Sequence, residues 1–385
     1  MAIALIIAVL WLAYSNGAND NFKGVATLYG SGAATFNRAR AWATIATIAG
    51  SLVSVVLAAS LAKKFSGSGL VPAELASSSA LLISVGAAGA ATVLLATFLG
   101  MPTSTTHALT GALVGVALLV NGGTVPISKL WSGFFLPLLV SPIMAVALAG
   151  GAYVILRRLR LALGVTRETC VCVGPARTLV PVGLTVGGRG GSGAAALPDA
   201  GGSRGLSVSV GETAQCVERY TGTLVGVDAQ TAVTTVHYAS AGAVCFARAV
   251  NDTPKIAALL MVGGAIGGWK LAIVAAAMAI GGLIQARKVA ETMSKRITAL
   301  NPGQGLTGNL VTALLVIGAS RFGLPVSTTH VSVGSIFGIG IVGGKPQWKT
   351  IGQIGTAWLT TLPLGGLLGA GLYYLLADTA LANIQ

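Results

Sequence analysis

Apolar residues run almost unbroken through ten stretches of this chain, at roughly 2–15, 41–62, 80–99, 105–120, 131–156, 241–267, 270–286, 305–322, 327–343 and 351–377. Several reach the ~20 residues that a helix needs to cross a bilayer, and the pattern predicts membrane-spanning helices there. Others, notably 2–15 and 105–120, are shorter and read as half-helices or re-entrant segments. None alternates polar with apolar as a barrel strand would, so a helical bundle is expected rather than a β-barrel.

The apolar stretches form two sets, which predicts transmembrane repeats over 1–156 and 241–385 joined by a polar insert over 157–240. The insert opens with Arg157, Arg158, Arg160 and Arg167, becomes Gly-rich, and ends in Tyr220–Tyr238. That last stretch is rich in Val and Thr, is broken at Gly226–Gln230, and is predicted as a β-hairpin. The arginines place the start of the insert in the cytoplasm, as do Arg287, Lys288, Lys295 and Arg296 for the segment after 270–286. The two crossings between these clusters keep the orientation consistent. Ala2–Tyr14 has no basic region before it and no clear cleavage site after it, so it reads as a mature membrane segment.

Composition agrees with a membrane protein. Of 385 residues 54% are hydrophobic and only 9% charged, against about 25% charged in soluble proteins. The 54 glycines suit close helix contacts in lipid, where no hydrophobic force draws helices together. The net charge of +14 sits mainly in short loops, where orientation already accounts for it, so nucleic acid is not an expected partner. Cys170, Cys172, Cys216 and Cys245 are too sparse for a zinc site and read as reduced thiols.

A duplication dominates the sequence. Gly100-Met-Pro-Thr-Ser-Thr-Thr-His107 recurs as Gly323-Leu-Pro-Val-Ser-Thr-Thr-His330, and Gly111 and Gly115 recur as Gly334 and Gly338. Upstream, Asn19-Asp20-Asn-Phe-Lys23 recurs as Asn251-Asp252-Thr-Pro-Lys255. The Asp-to-Ser separation is 84 residues in one copy and 75 in the other.

Only ten acidic residues exist, and eight of them fall in the insert, in loops or near the C-terminus. Asp20 and Asp252 alone lie among apolar segments, where a carboxylate is costly and points to function. Each can also pair with a lysine one helical turn on, Lys23 or Lys255, and a partial pairing is compatible with a functional role. In the second motif Gly ends a helix and Pro permits the start of another, with Ser104 and Ser327 as expected N-caps. The result is a helix N-terminus inside the membrane, whose free N–H groups and hydroxyls can grip an oxyanion. His107 and His330 are expected to orient the break, or else to titrate during transport.

Discontinuous helices, inverted repeats and polar residues at the midplane mark a secondary transporter. Two carboxylates beside an anion site call for a co-transported cation, and Asn19 and Asn251 offer amide oxygens suited to Na⁺. No nucleotide-binding P-loop and no nucleophile–base or metal-ligand constellation is present, which argues against a pump and against an enzyme.

Asn16-Gly-Ala-Asn-Asp20 and Ala249-Val-Asn-Asp252, with both Pro-x-Ser-Thr-Thr-His elements, resemble the PiT inorganic phosphate transporter family over both membrane halves. The resemblance implies a Na⁺- or H⁺-coupled phosphate symporter of the plasma or inner membrane, with inverted repeats and a homodimeric assembly. It further implies that Ser104, Thr105, Thr106, Ser327, Thr328, Thr329, Asp20 and Asp252 bind phosphate. Asn19, Asp20, Asn251 and Asp252 would bind the cation, supported by Lys23, Lys255, His107 and His330. Asn-Phe-Lys-Gly after Asp20 and Ala249-Val250 before Asn251 depart from the common family pattern. A sulfate carrier of the same mechanism, a passive anion channel and a phosphate sensor signalling through the insert are the competing readings.

Overall fold

Helix is the only regular structure that satisfies every backbone polar group within its own segment, and the described residues of the long apolar stretches are mostly helical. The computed structural model describes residues 1–57, 59–65, 69–166, 169–175, 206–212, 225–260 and 268–382. Ten long helices lie among them: α1 (Ala2–Asp20), α2 (Phe36–Leu57), α3 (Ser79–Phe98), α4 (Thr105–Val120), α5 (Leu136–Ala162), α6 (Ala229–Ala257), α7 (Gly268–Gln285), α8 (Pro302–Arg321), α9 (Thr328–Val342) and α10 (Trp348–Ala382). Five spans among the described residues are long and apolar enough to cross a membrane: Ala2–Asp20, Ser79–Phe98, Ile127–Ala162, Gly268–Gln285 and Trp348–Ala377. At 16 and 15 residues, α4 and α9 are shorter, about 24 Å of helix against a hydrocarbon core of about 30 Å.

The expectation that 2–15 is a half-helix is corrected, since α1 continues to Asp20. Hydropathy falls after Tyr14 because Ser15, Asn16, Asn19 and Asp20 are polar. All four are buried against other helices, so the segment needs no water to continue. A second correction concerns Tyr220–Tyr238. Val225–Asp228 is a strand, but helix begins at Ala229. Thr231–Val236 carries the β-branched residues that favour strand. In the helix the Thr234 and Thr235 hydroxyls donate to the carbonyls of Gln230 and Thr231 at 2.8 and 2.9 Å. Burial of His237 and Ser240 anchors the turns that follow. Residues 220–224 of the predicted hairpin lie outside the described residues, as do Cys216 and the acids Glu168, Asp199 and Glu218.

The described residues fall into two compact units, 1–158 with 236–385, and 159–235. The smaller contains a three-stranded antiparallel sheet. Its central strand β1 (Thr169–Pro175) pairs with β2 (Leu206–Glu212), Val171 opposite Val210, and with β3 (Val225–Asp228), Val171 opposite Val227.

In the larger unit α1 packs on α3 and α7, α10 on α4 and α3, and α8 on α9. The paired glycines explain how the short helices are held. A Cβ on Gly111 or Gly115 of α4 would stand 2.1 Å from the Leu362 carbonyl oxygen or 2.0 Å from that of Gly366, both on α10. A Cβ on Gly338 of α9 would stand 2.3 Å from the Val146 oxygen on α5. Each short helix thus presses its small-residue face on the long helix that follows the other short helix, α4 on α10 and α9 on α5, as lipid-embedded helices do when packing alone joins them. Gly115→Val is expected to leave no folded protein after detergent extraction, read as loss of the monodisperse peak on size-exclusion chromatography. The backbone of α10 cannot yield the ångström or more that the side chain needs.

Candidate functional site at the paired helix breaks

The two copies of the helix break have matching geometry. Gly100 and Gly323 adopt φ of +70° and +63°, conformations that side-chain-bearing residues rarely reach. The Gly100 and Met101 N–H groups close α3 onto the carbonyls of Thr97 and Ala96 at 3.0 and 2.9 Å; those of Gly323 and Leu324 close α8 onto Ser320 and Ala319 at 3.1 and 2.8 Å. Met101–Ser104 and Leu324–Ser327 are non-helical. Ser104 and Ser327 then cap α4 and α9 by accepting from the His107 and His330 N–H groups, each at 3.1 Å. Those two hydroxyls serve the cap, and the threonines that follow are left to face the site.

Asn19 and Asp20 end α1, and the chain leaves in a turn in which the Lys23 N–H donates to the Asp20 carbonyl at 3.1 Å. Asn251 and Asp252 lie near the end of α6, just before Pro254, which cannot donate within the helix. Each aspartate forms an ion pair with the lysine three residues on: Lys255 reaches Asp252 at 3.2 Å, and Lys23 contacts the Asp20 carboxylate. The pairing that the spacing allows is therefore made twice.

The breaks and the Asp–Lys pairs interlock across the two halves. Lys23 donates to the Thr103 carbonyl at 2.7 Å and to the Thr329 hydroxyl of the second half. Lys255 donates to the Thr106 hydroxyl of the first half at 2.7 Å and to the Val326 carbonyl at 3.3 Å. Thr329 itself donates to the Thr103 carbonyl at 2.5 Å, and Thr106 to that of Val326 at 3.3 Å. Thr103 corresponds to Val326 in the repeat and Thr106 to Thr329, so every bond has a counterpart. Asn19 donates to Thr97 at 3.0 Å, and Asn251 to Ser320, the corresponding position, at 2.8 Å. The amide oxygens differ in use: that of Asn19 accepts from the Thr103 N–H at 3.0 Å, while that of Asn251 accepts from Lys255. Thr328 is buried beside these groups, at 4% exposure.

Two residues to which the sequence motifs gave no role, Asn16 and Arg248, complete the centre. Asn16 donates to Asp20 and Asp252, at 3.2 Å each, and to Thr105 at 2.9 Å, so it ties both carboxylates together. Arg248 donates to the Asn16 amide oxygen at 3.0 Å and to Thr47 at 2.7 Å. It is 1% exposed, and its Nε has no hydrogen-bond partner among the described residues. Lys23, Lys255 and Arg248 against Asp20 and Asp252 leave one surplus positive charge. The expected repulsion between two carboxylates and an anion is thus already offset by side chains. Extending the repeat three residues upstream of each Asn-Asp would have found both residues, because Asn16 aligns with Arg248, and Arg248 interrupts an otherwise apolar run.

His107 and His330 pack edge to face, with ring centroids 4.5 Å apart. Their Nδ1 atoms lie 3.2 Å from the carbonyl oxygens of Trp358 on α10 and Leu138 on α5. Trp358 in turn donates to the Pro102 carbonyl at 3.0 Å. The histidines therefore tie the starts of α4 and α9 to each other and to the long helices behind them.

Residues 16–369, which include every one of these groups, match the sequence model of the phosphate transporter family. The chain belongs to the phosphate transporter family. A "probable low-affinity inorganic phosphate transporter" of Mycobacterium leprae is 27% identical over 97% of this chain and 78% of its own length. "Inorganic phosphate transporter 2-1, chloroplastic" of Arabidopsis thaliana is also 27% identical, over 96% of this chain and 71% of its own. A solved structure described as "the sodium-dependent phosphate transporter" superposes with a TM-score of 0.71 over 98% of both chains, at 20% identity, a likeness of fold. Membership places the interlocked breaks in a helical membrane transporter, and the spans of apolar helix agree with that setting.

Proposed function

We propose that this chain imports inorganic phosphate across the plasma or inner membrane by symport with a cation, Na⁺ or H⁺. The observation that carries the reading is the surplus positive charge, supplied by Arg248, in a buried cluster to which both repeats contribute. A tetrahedral oxyanion has four corners and is suited to donors converging from two symmetric sides. The hydroxyls of Thr105, Thr106, Thr328 and Thr329, the free N–H groups at the starts of α4 and α9, and the Arg248 guanidinium supply those donors. Ser104 and Ser327 support the same site through their caps, and Asn19 and Asn251 brace the ends of α3 and α8 against it. Asp20 and Asp252 accept the hydroxyl of a phosphate that still carries a proton. Sulfate at neutral pH has no such hydrogen to offer, so the carboxylates favour phosphate over it.

The cluster members are each at most 4% exposed, so the substrate reaches them only when the interlocked halves part. Bonds that cross between the repeats at the breaks, Lys23 to Thr329, Lys255 to Thr106, Thr329 to the Thr103 carbonyl and Thr106 to that of Val326, are among those that opening must break. Phosphate offers the same donors new acceptors, and this lets it favour one open arrangement over the other. Inverted repeats moving about this centre, a homodimeric assembly and a cytoplasmic 157–240 insert complete the proposal. It is tested with purified protein in proteoliposomes, by radiolabelled phosphate uptake under an imposed Na⁺ or H⁺ gradient with excess unlabelled sulfate as competitor. Gradient-driven uptake that sulfate does not block is expected; uptake abolished by sulfate would make the chain a sulfate carrier, and uptake indifferent to any gradient would make it a channel.

A further inference from the structure

We propose that the ammonium groups of Lys23 and Lys255 fill the two oxygen cages in which a coupling metal cation would sit, so that this chain transports phosphate without Na⁺. The inference rests on the reading of the chain as a phosphate carrier and specifies its coupling. Around the Lys23 Nζ stand the Asp20 carboxylate, the Thr103 carbonyl at 2.7 Å and the Thr329 hydroxyl. Around the Lys255 Nζ stand the Asp252 carboxylate at 3.2 Å, the Asn251 amide oxygen, the Thr106 hydroxyl at 2.7 Å and the Val326 carbonyl at 3.3 Å. Every group is an oxygen, and the carbonyls come from the unwound stretches between helices. This is the donor set that broken-helix transporters present to a coupling ion. Here a tethered cation holds the centre of each set.

The charge count leads to the same place. With both lysines and Arg248 set against two aspartates, the cluster is already one charge positive. A Na⁺ entering either cage would meet a like charge in a buried setting and would have no carboxylate of its own. Dihydrogen phosphate, which is hydrogen phosphate with one further proton, by itself brings the cluster to neutrality. No metal cation is needed for a neutral loaded centre, and the cation left to travel with the substrate is the proton on the phosphate itself. Coupling through a mobile Na⁺ has thus been replaced by two fixed ammonium groups.

The test compares phosphate uptake by the full-length protein in proteoliposomes with Na⁺ or choline outside, under a constant inward pH gradient. The same measurement is made on Lys23→Asn/Lys255→Asn, and both proteins are assayed for ²²Na⁺ retention and for thermal stabilisation by Na⁺. Wild-type uptake is expected to differ by less than about twofold between the two salts, and the variant to be stimulated about fivefold or more by Na⁺. Only the variant should retain ²²Na⁺ and gain thermal stability from it. Wild-type uptake that falls about tenfold or more in choline, or wild-type retention of ²²Na⁺, would overturn the proposal. So would a folded variant that neither retains ²²Na⁺ nor is stabilised by it. If the variant does not fold, the two wild-type measurements still decide. If wild type carries no phosphate under any gradient, the transport reading fails by itself, while ²²Na⁺ retention separately reports whether the cages are filled.

Discussion

Asp20→Asn is expected to abolish phosphate uptake and to lower stability by about 3–5 kcal/mol, the cost of stranding a buried charge whose partner has been removed. The Lys23 ammonium would keep the Thr103 carbonyl and the Thr329 hydroxyl, but these are neutral groups and cannot replace a carboxylate away from water. Asn16, which donates to Asp20 and Asp252 at 3.2 Å, would lose a charged acceptor at the same time. A second variant separates stability from transport. Asp20→Asn/Lys23→Met removes both charges, and pairs exchanged for apolar or neutral groups are often tolerated. It should recover most of the thermal stability and none of the transport. Thermal unfolding in detergent and uptake in proteoliposomes measure the two effects. An Asp20→Asn protein that folds and carries phosphate at the full, cation-dependent rate would remove Asp20 from the mechanism.

The second large effect is expected at Arg248. Its guanidinium donates to two neutral acceptors, Asn16 and Thr47, while Nε has no partner among the described residues. A buried charge held this loosely destabilises the resting protein unless a charged ligand joins it. Arg248→Met should therefore leave the thermal midpoint unchanged or raise it, because the cost of burying the charge disappears. The phosphate affinity inferred from uptake should fall by about 2–5 kcal/mol, or roughly 30- to 5,000-fold, the range for losing one partner of a buried charge pair. Stability and function moving in opposite directions is the pattern of a binding residue. A fall in both together would assign Arg248 to the scaffold.

The sequence carries the elements of this site more fully than their connections. The Gly-x-Pro-x-Ser-Thr-Thr-His copies disclose a helix end, a non-helical gap and a capped restart, because each feature follows from three or four adjacent residues. The Asp–Lys spacing discloses the ion pairs for the same reason, since residues one turn apart meet in any helix. The limit of α1 was less legible. A window of hydropathy counts Asn16, Asn19 and Asp20 as an end to the membrane segment, although buried partners make them part of it. Within the predicted hairpin, 229–238 failed in the opposite sense, where local β propensity lost to helix continuity and to the burial of His237 and Ser240.

By itself, the sequence determined a duplicated, helical membrane protein with two broken helices, two intramembrane Asp–Lys pairs and the motifs of a phosphate transporter. Only the tertiary structure decided that each lysine reaches into the opposite repeat, that Asn16 ties both aspartates together, and that Arg248 brings the balance of charge to one positive. Capping, spacing and helix length are local properties, fixed by neighbours along the chain. Lys23 and Thr329 are far apart in sequence, and what joins them is the packing of α4 and α9 on the helices behind them. The charge that a substrate meets at the centre is a sum over residues that the fold alone assembles.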